Sequence, residues 1–256
     1  MPDLIPKETF RTAWEQYWLS FQQSPAKVFW NAEPTEAAQD AALFKAHLDP
    51  GLPLVDVGCG NGEHTRALAC QSAFTKIIGT DIAPAAVASA RNVGGRGISY
   101  RVLDLLRPDD AVALHREIGD ANVHIRGVLH QLPDAHRQTA VVSIAHILGG
   151  SGALYLKELA AEADLYLQDL LKRFGPVQGL ERILDVLGKA GISWGSFGEA
   201  DIQRLFPSDR FSLLVNGDSR IQTTNRLPSG EIIAIPAIYA VLRPNDKHHR
   251  ARAGQS

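Results

Sequence analysis

Glycines and acidic residues in the first half of the chain have the types and spacing of a ligand site. Residues 54–62 read Leu-Val-Asp-Val-Gly-Cys-Gly-Asn-Gly, an aliphatic run followed by a glycine-dense turn. Gly58, Gly60 and Gly62 allow a tight turn and let a ligand lie against bare backbone at the start of a helix. Asp56 precedes the turn, and a carboxylate pointing toward the site would repel a pyrophosphate but attract an ammonium or sulfonium group. The turn therefore favours a positively charged ligand.

Two more acids follow at the predicted ends of the next two strands. Asp81 ends Ile-Ile-Gly-Thr-Asp, and a carboxylate there can accept hydrogen bonds from both hydroxyls of a ribose. Asp104 follows Tyr-Arg-Val-Leu and can accept from an exocyclic amino group, with Leu105 packing beside the ring. Because parallel strands bring their carboxyl ends to one edge of a sheet, these acids predict a single site.

Alternating strand-like and helix-like runs from about Leu52 to Leu156 must position these residues. The predicted strands are short and aliphatic, as buried parallel strands are. They are Leu54–Val57, Lys76–Thr80, Ile98–Leu103, Val123–Val128 and Ala153–Leu156. Prolines at predicted helix starts and glycines after predicted helix ends separate them. The alternation predicts an α/β fold with a doubly wound, Rossmann-like sheet.

Three further segments surround this predicted core. The first is an N-terminal helix with aromatic residues on one face, Phe10, Trp14, Tyr17, Trp18 and Phe21, followed by Phe29 and Trp30. The second is a pair of amphipathic helices over 167–174 and 180–187. The third is a pair of strand-like runs, Phe211–Val215 and Ile232–Leu242, joined through 218–230. We predict one domain over 1–246, with a lid segment at 1–50, a core at 51–160, helices and C-terminal strands at 161–246, and a disordered tail at 247–256.

The motif set resembles the class I S-adenosylmethionine-dependent methyltransferases. Val-Asp-Val-Gly-Cys-Gly-Asn-Gly, Gly-Thr-Asp-Ile, Val-Leu-Asp-Leu and Arg-Gly-Val-Leu-His-Gln-Leu-Pro occur in that family's order and spacing over about 52–156. The resemblance implies a seven-stranded, mostly parallel sheet with antiparallel C-terminal strands, and S-adenosylmethionine as cofactor. The cofactor-binding residues are then expected to be Asp56, Gly58, Cys59, Gly60, Asp81, Ile82, Asp104, Leu105 and Arg126.

The resemblance also assigns roles to these residues. Gly58, Cys59 and Gly60 would contact the methionyl part and Asp81 the ribose. Asp104 and Leu105 would contact the adenine, whereas Arg126 takes a position that usually lies near the methionyl end.

His130 is the predicted general base. It lies just past the fourth strand in Gly-Val-Leu-His-Gln-Leu-Pro, at the edge where the transferring methyl group should point. Imidazole has the side-chain pKa best suited to proton removal near neutral pH. The alternative is that His130 caps the following helix or packs under the lid. Trp14, Trp18 and Trp30 are predicted to form a substrate lid, with plain core packing as the alternative.

The amino-acid composition restricts the classes of partner and cofactor that we expect for this protein. The formal net charge of −2 favours neither nucleic acid nor an anionic membrane. Two cysteines, Cys59 and Cys70, indicate a reducing cytoplasm. No signal peptide is predicted, and glycines break the long uncharged run at 138–156, so no membrane span is predicted either. The nine histidines lack the spacing of a zinc protease helix, and no protein-bound metal is predicted.

The leading hypothesis is a small-molecule methyltransferase with an apolar or aromatic acceptor, O-methylation being favoured. One alternative is a methyltransferase-like module that binds but does not catalyse. The other is an NAD(P)-binding oxidoreductase, which Glu63 disfavours because the dinucleotide fingerprint needs glycine or alanine at that position.

Overall fold

A seven-stranded mixed sheet lies at the centre of the part of the chain that this computed structural model describes, residues 6–23, 28–31, 34–176, 180, 185, 188–190 and 195–245. The strands are β1 Leu54–Val57, β2 Ile77–Asp81, β3 Ile98–Val102, β4 Asn122–Arg126, β5 Leu154–Leu159, β6 Phe211–Arg226 and β7 Ile232–Pro244. Their order is β3-β2-β1-β4-β5-β7-β6, with β1 to β5 parallel and β7 antiparallel to both of its neighbours. The predicted doubly wound, mostly parallel sheet is confirmed.

Several helices begin at a proline or end just before a glycine, as the sequence predicted. The helices whose bounds lie within the described residues are α1 Lys7–Gln23, α2 Pro34–Phe44, α3 Glu63–Gln71, α4 Pro84–Val93, α5 Pro108–Ile118, α6 Asp134–Leu148, α7 Ala163–Phe174 and α8 Glu199–Leu205. Pro84 and Pro108 occupy first-turn positions, where their fixed φ suits a helix and no N–H is needed. Gly119 follows α5 with φ of 77°, a conformation that side chains other than glycine resist.

Helices cover both faces of the sheet. Val55 and Ile125 belong to a buried cluster that includes residues of α5 and α6. On the other face, Tyr155 clusters with Phe44 of α2 and Leu68 of α3. Because successive strand residues point to opposite faces, β1 sends Val55 and Val57 to the first face and Asp56 to the second. This alternation decides which strand residues reach the site.

The C-terminal hairpin differs from its prediction in length. The sequence indicated a strand ending at Val215 and a long connection, whereas β6 continues to Arg226 and turns tightly into β7. The Asn-Gly-Asp-Ser stretch just after the predicted strand lies in an edge strand, where polar residues on the exposed side cost little.

Two predicted segments fall largely or wholly outside the described residues: the second amphipathic helix, at 180–187, and the tail, at 247–256. Within the described part, no helix combines the length and apolar character needed to cross a membrane.

Candidate functional site

A pocket lies at the carboxyl ends of β1 to β4, at the edge that the sequence predicted. Its polar lining includes Asp81, Asp104, Arg126, His130 and Gln131. Its apolar lining includes Phe10, Trp14, Trp18, Phe29, Trp30, Val57, Ile82, Leu103, Leu105, Leu106, Val128, Leu132, Leu159, Ile221 and Ile235. The pocket is therefore mostly apolar, with a few convergent polar groups, which is the usual composition of a small-molecule site.

The glycine turn forms one wall with bare backbone. Gly58 and Gly60 line the pocket with φ of 74° and 55°. A Cβ at Gly60 would lie 2.7 Å from the Trp18 ring, and one at Gly58 would clash with Val128. The turn therefore needs glycine both for its backbone conformation and for its close packing.

Asp81 is fixed beside this turn at the end of β2. One carboxylate oxygen accepts the Gly60 N–H at 2.9 Å and the other accepts the Ala83 N–H at 2.9 Å. Burial raises the pKa of Asp81 to about 6, more than these two hydrogen bonds lower it, and Asp56 adds to the rise. The pocket thus contains a carboxylate that is mostly ionised at neutral pH and gains a proton in mild acid.

Asp104 follows β3 closely and lies at the same edge of the sheet as Asp81. One of its carboxylate oxygens accepts the Leu106 N–H at 2.8 Å, and the acid lines the pocket beside Leu105. Burial raises the pKa of Asp104, and Asp110 contributes to the rise. With Ile82 also on the lining, the structure brings the second and third strand ends together as predicted.

The structure does not bring the side chains of Asp56 and Cys59 to the pocket. The Asp56 carboxylate lies on the opposite face of β1, where it accepts the Thr65 hydroxyl at 2.5 Å and pairs with Nδ1 of His124 at 2.8 Å. The Cys59 thiol is buried in a cluster with Tyr100, and burial raises its pKa well above the usual value. The expectation that Asp56 points a charge at the ligand overlooked the alternation along β1.

Arg126 lies on the pocket wall, but a glutamate that does not line the pocket pairs with its positive charge. Its guanidinium is 2.6 Å from a carboxylate oxygen of Glu36 and donates to the Trp30 carbonyl at 3.1 Å. Glu36 is fully buried and also lies 3.1 Å from Lys157 Nζ. Sequence reasoning missed Glu36, because its position on α2 shows no motif.

His130 lies in a short 3-10 turn after β4, with its ring held by Glu158 of β5. Nδ1 is 2.7 Å from a carboxylate oxygen of Glu158. The same carboxylate accepts the backbone N–H groups of Val128, Leu129 and His130 at 2.9–3.1 Å. A carboxylate that accepts three backbone N–H groups is also suited to accept the ring N–H at Nδ1.

Glu158 was also missed by the sequence analysis. Its signal was present, since Lys157 and Glu158 interrupt the aliphatic run that predicted β5, and charged residues within a buried strand need partners. The predicted strand ended at Leu156, two residues before this glutamate.

The aromatic N-terminal segment forms the opposite wall. Trp14, Trp18 and Trp30 all line the pocket, and Trp30 lies 5.3–6.1 Å from Trp14, Tyr17 and Trp18, ring centre to ring centre. Trp18 is almost completely buried, whereas Trp14 and Trp30 are half-buried. The segment therefore serves as core at Trp18 and as pocket lining at Trp14 and Trp30.

Hydrogen bonds tie α1 to the strand ends that it covers. Glu15 accepts the Ala85 N–H at 2.9 Å, at the start of α4, and Lys7 donates to the Leu106 carbonyl at 3.0 Å. These contacts place the helix across the ends of β2 and β3.

Comparison with known proteins identifies the class to which this fold and site belong. A family model described as a methyltransferase domain matches residues 54–152. The crystal structure of an S-adenosylmethionine-dependent methyltransferase from Anabaena variabilis is 34% identical, with 92% of this chain and 95% of that chain covered and a TM-score of 0.84. No curated protein matches the chain. The chain belongs to the S-adenosylmethionine-dependent methyltransferases.

More distant structures share the fold. An enzyme structure described for conversion of a disulfide bond into a thioacetal group in echinomycin biosynthesis is 16% identical, covers 84% of each chain and has a TM-score of 0.59. A DhpI complex with S-adenosylhomocysteine is 14% identical, covers 93% of this chain and 97% of that chain, and has a TM-score of 0.54. Family membership removes the NAD(P)-binding oxidoreductase alternative.

S-adenosylmethionine is the cofactor of this family, and the residues present fit it. Gly58 and Gly60 present bare backbone to the pocket. Asp81 presents a carboxylate at the pocket beside that turn, and Ile82 and Leu105 offer apolar surface for a flat ring.

Proposed function

We propose that this methyltransferase acts on a small acceptor that is largely apolar or aromatic, and that the acceptor atom is a hydroxyl oxygen. The observation that carries the proposal is the juxtaposition of His130, held by the buried Glu158, with an aromatic pocket wall. S-adenosylmethionine supplies an electrophilic methyl group on a sulfonium centre, and the protein's own residues position the acceptor and manage its proton.

The glycine turn and the ends of β2 and β3 form the cofactor half of the pocket. Asp81 accepts the ribose hydroxyls, because its carboxylate is already fixed by two backbone N–H groups. Asp104 accepts the exocyclic amino group of adenine, and Ile82 and Leu105 flank the ring. The backbone at Gly58 and Gly60 lies against the methionyl chain.

The acceptor half is formed by the remaining lining. Trp14, Phe29 and Trp30 stand on the N-terminal side, and Ile221 and Ile235 come from the hairpin. These side chains stabilise an apolar acceptor by burying its surface, by about 25 cal/mol per Å². They also exclude water from the reacting atoms, which strengthens the polar contacts inside.

His130 is the general base in this proposal. Glu158 fixes the imidazole with Nδ1 protonated, so Nε2 takes the hydroxyl proton as the oxygen forms its bond to the methyl carbon. A hydroxyl acceptor needs such a base near neutral pH, since it must lose its proton to become an ether. The negative charge of Glu158 stabilises the imidazolium that results.

The test combines an acceptor panel with substitutions of His130. Purified protein is incubated with labelled S-adenosylmethionine and series of phenols, amines and thiols of matched shape. His130→Gln and His130→Ala are expected to lower the rate with the best phenol by roughly 10²–10⁴. Calorimetry is expected to show unchanged affinity for S-adenosylhomocysteine.

His115→Gln is the matched control, because His115 is half-exposed on α5 and outside the pocket. Rates within a few-fold of wild type for His130→Gln, with the same pH profile, would mean that proximity alone drives transfer. Binding of S-adenosylhomocysteine without methyl transfer to any acceptor class would instead favour a binding module.

A further inference from the structure

A buried polar cluster lies on the side of the sheet opposite the α5–α6 face, under α2 and α3. Asp56 and His124 stand directly opposite each other in the β1–β4 register, and Tyr155 follows on β5. The His124 ring lies 5.3 Å from the Tyr155 ring and 5.3 Å from the ring of His64, which comes from α3. Asp40 of α2 completes the group, and its side chain is fully buried. None of these residues is among those that line the pocket.

Three buried atoms of this cluster make no hydrogen bond of good geometry to the described residues, although two of them are close enough to form an ion pair. They are Oδ2 of Asp40, Nε2 of His64 and Nε2 of His124. One ligand atom from each of these three residues lies within 4.8 Å of the others, and Asp40 Oδ2 is 3.5 Å from His64 Nε2. Buried polar groups left unsatisfied are costly, so three that face one another indicate a missing ligand.

The other atoms of the cluster hold these three in place. Asp40 uses its second oxygen, Oδ1, for the Tyr155 hydroxyl at 2.8 Å and for Lys157 Nζ at 2.5 Å. His124 uses Nδ1 for Asp56 at 2.8 Å, which leaves Nε2 as its lone-pair nitrogen. Metal-bound histidines are commonly oriented by a carboxylate on the other ring nitrogen in this way.

The charges in the cluster leave room for a cation. Three buried carboxylates, Glu36, Asp40 and Asp56, face two cations, Arg126 and Lys157.

We propose that Asp40, His64 and His124 bind one divalent transition-metal ion, for which zinc is the best fit. Two imidazoles and one carboxylate form a donor set that zinc uses, with a fourth position for water. Ligands of a tetrahedral zinc ion lie about 3.3 Å apart, and the Asp40–His64 distance already approaches this value. The ion would join α2 and α3 to β4 through residues that do not line the pocket, so its role is separate from methyl transfer.

No local pattern along the chain indicates this site. Its ligands are 24 and 60 residues apart and lie on three different elements. This proposal departs from the expectation that no metal is bound.

The first experiment measures metal in the full chain carrying His248→Gln and His249→Gln, which remove the terminal histidine pair. Chelated protein is titrated with zinc against a chromophoric chelator at pH 7.5. The expected result is one zinc per chain and a raised melting temperature. Cobalt in place of zinc is expected to give the intense visible bands of a four-coordinate site.

Variants then locate the ion. Asp56→Asn, which alters the carboxylate that orients His124, is expected to weaken zinc binding by about 10–100-fold. His64→Gln and Asp40→Asn are expected to weaken it further, whereas His115→Gln leaves it unchanged. Circular dichroism and S-adenosylhomocysteine binding of the metal-free variants check that they fold.

Three outcomes would overturn the proposal. The first is a double-histidine background that binds no zinc, which would make the cluster a proton or water network. The second is zinc affinity that does not respond to His64→Gln, which would indicate an adventitious surface site. If the variants do not fold, the cobalt spectrum of the unsubstituted cluster decides, and a six-coordinate spectrum would rule out the tetrahedral site proposed here.

Discussion

At the level of single residues, three acidic side chains near the pocket are buried, and each of them has different partners. Asp81 accepts two backbone N–H groups and faces the pocket. Glu158 accepts from His130 and its turn, and Glu36 pairs with two cations. Because partners and burial decide how a buried carboxylate behaves, each is expected to affect a different property: cofactor affinity, turnover or stability.

Asp81 is expected to make cofactor binding depend on pH. Its pKa of about 6 means that the carboxylate gains a proton as the pH falls below that value and then accepts hydrogen bonds poorly. The affinity for S-adenosylhomocysteine should be flat above pH 7 and about tenfold lower at pH 5. Isothermal titration calorimetry across this range measures the effect.

Replacement of Asp81 tests the same assignment at fixed pH. Asp81→Ala is expected to weaken S-adenosylhomocysteine binding by about 1.5–3 kcal/mol, the scale of hydrogen bonds to a charged group. Asp81→Asn should remove the pH dependence between 5 and 7. An unchanged affinity in a folded Asp81→Ala protein would contradict the ribose assignment.

At the scale of elements, α1 acts as both core and pocket wall. Trp18 packs on Gly60 and is almost completely buried, whereas Trp14 on the same helix is half-buried on the lining. Deleting the helix would therefore expose core as well as open the pocket. Single substitutions separate the two functions better than truncation.

Trp14→Ala is expected to affect the acceptor more than the cofactor. Loss of the indole removes apolar contact area from the acceptor half of the proposed site, so KM for the acceptor should rise roughly tenfold or more. S-adenosylhomocysteine affinity should change by less than about threefold. Steady-state kinetics and calorimetry measure the two values, and Leu19→Ala, 43% exposed on α1, is the control. An acceptor KM that responds equally to both substitutions would contradict the wall assignment.

The predicted bounds of strands and helices match the structure where the hydrophobic pattern agrees with a proline or glycine at the boundary. β1 spans the predicted Leu54–Val57, and α4 and α5 begin at Pro84 and Pro108. β6 was predicted too short because Asn216 to Ser219 have low strand propensity. Pairing with the long β7 strand overrides that propensity, and a single sequence does not reveal this long-range contact.

At the scale of the whole molecule, Glu36 connects the N-terminal segment to the sheet. From α2 it contacts Arg126 of β4 and Lys157 of β5, and accepts the Gln222 N–H of β6 at 3.2 Å. One fully buried carboxylate therefore joins four elements behind the pocket.

Glu36→Gln is expected to lower the free energy of unfolding by about 3–5 kcal/mol, because it leaves the buried Arg126 without its carboxylate and Lys157 with Asp40 alone. Urea denaturation followed by circular dichroism measures the change. Glu162→Gln, at an exposed position before α7, should stay within about 0.5 kcal/mol of wild type. Equal stability of the two variants would show that the buried network contributes little.

The fold class, the glycine turn, the acids that end β2 and follow β3, and the family could all be predicted from the order of residues along the chain. These features are local: a strand, a turn and the residue that follows it lie within a few positions, and their order along the chain sets the sheet edge at which they meet. His130 was also found this way, because it follows β4 in a recognisable motif.

The partners of these residues could not be predicted in this way and follow from the fold. Glu158 behind His130, Glu36 behind Arg126, and the convergence of Asp40, His64 and His124 all join residues 24 to 90 positions apart. The fold also turned Asp56 away from the pocket, since the pleat of β1 sends it to the opposite face. The physical reason is that burial and pairing of charge depend on neighbours in space, which local patterns do not record.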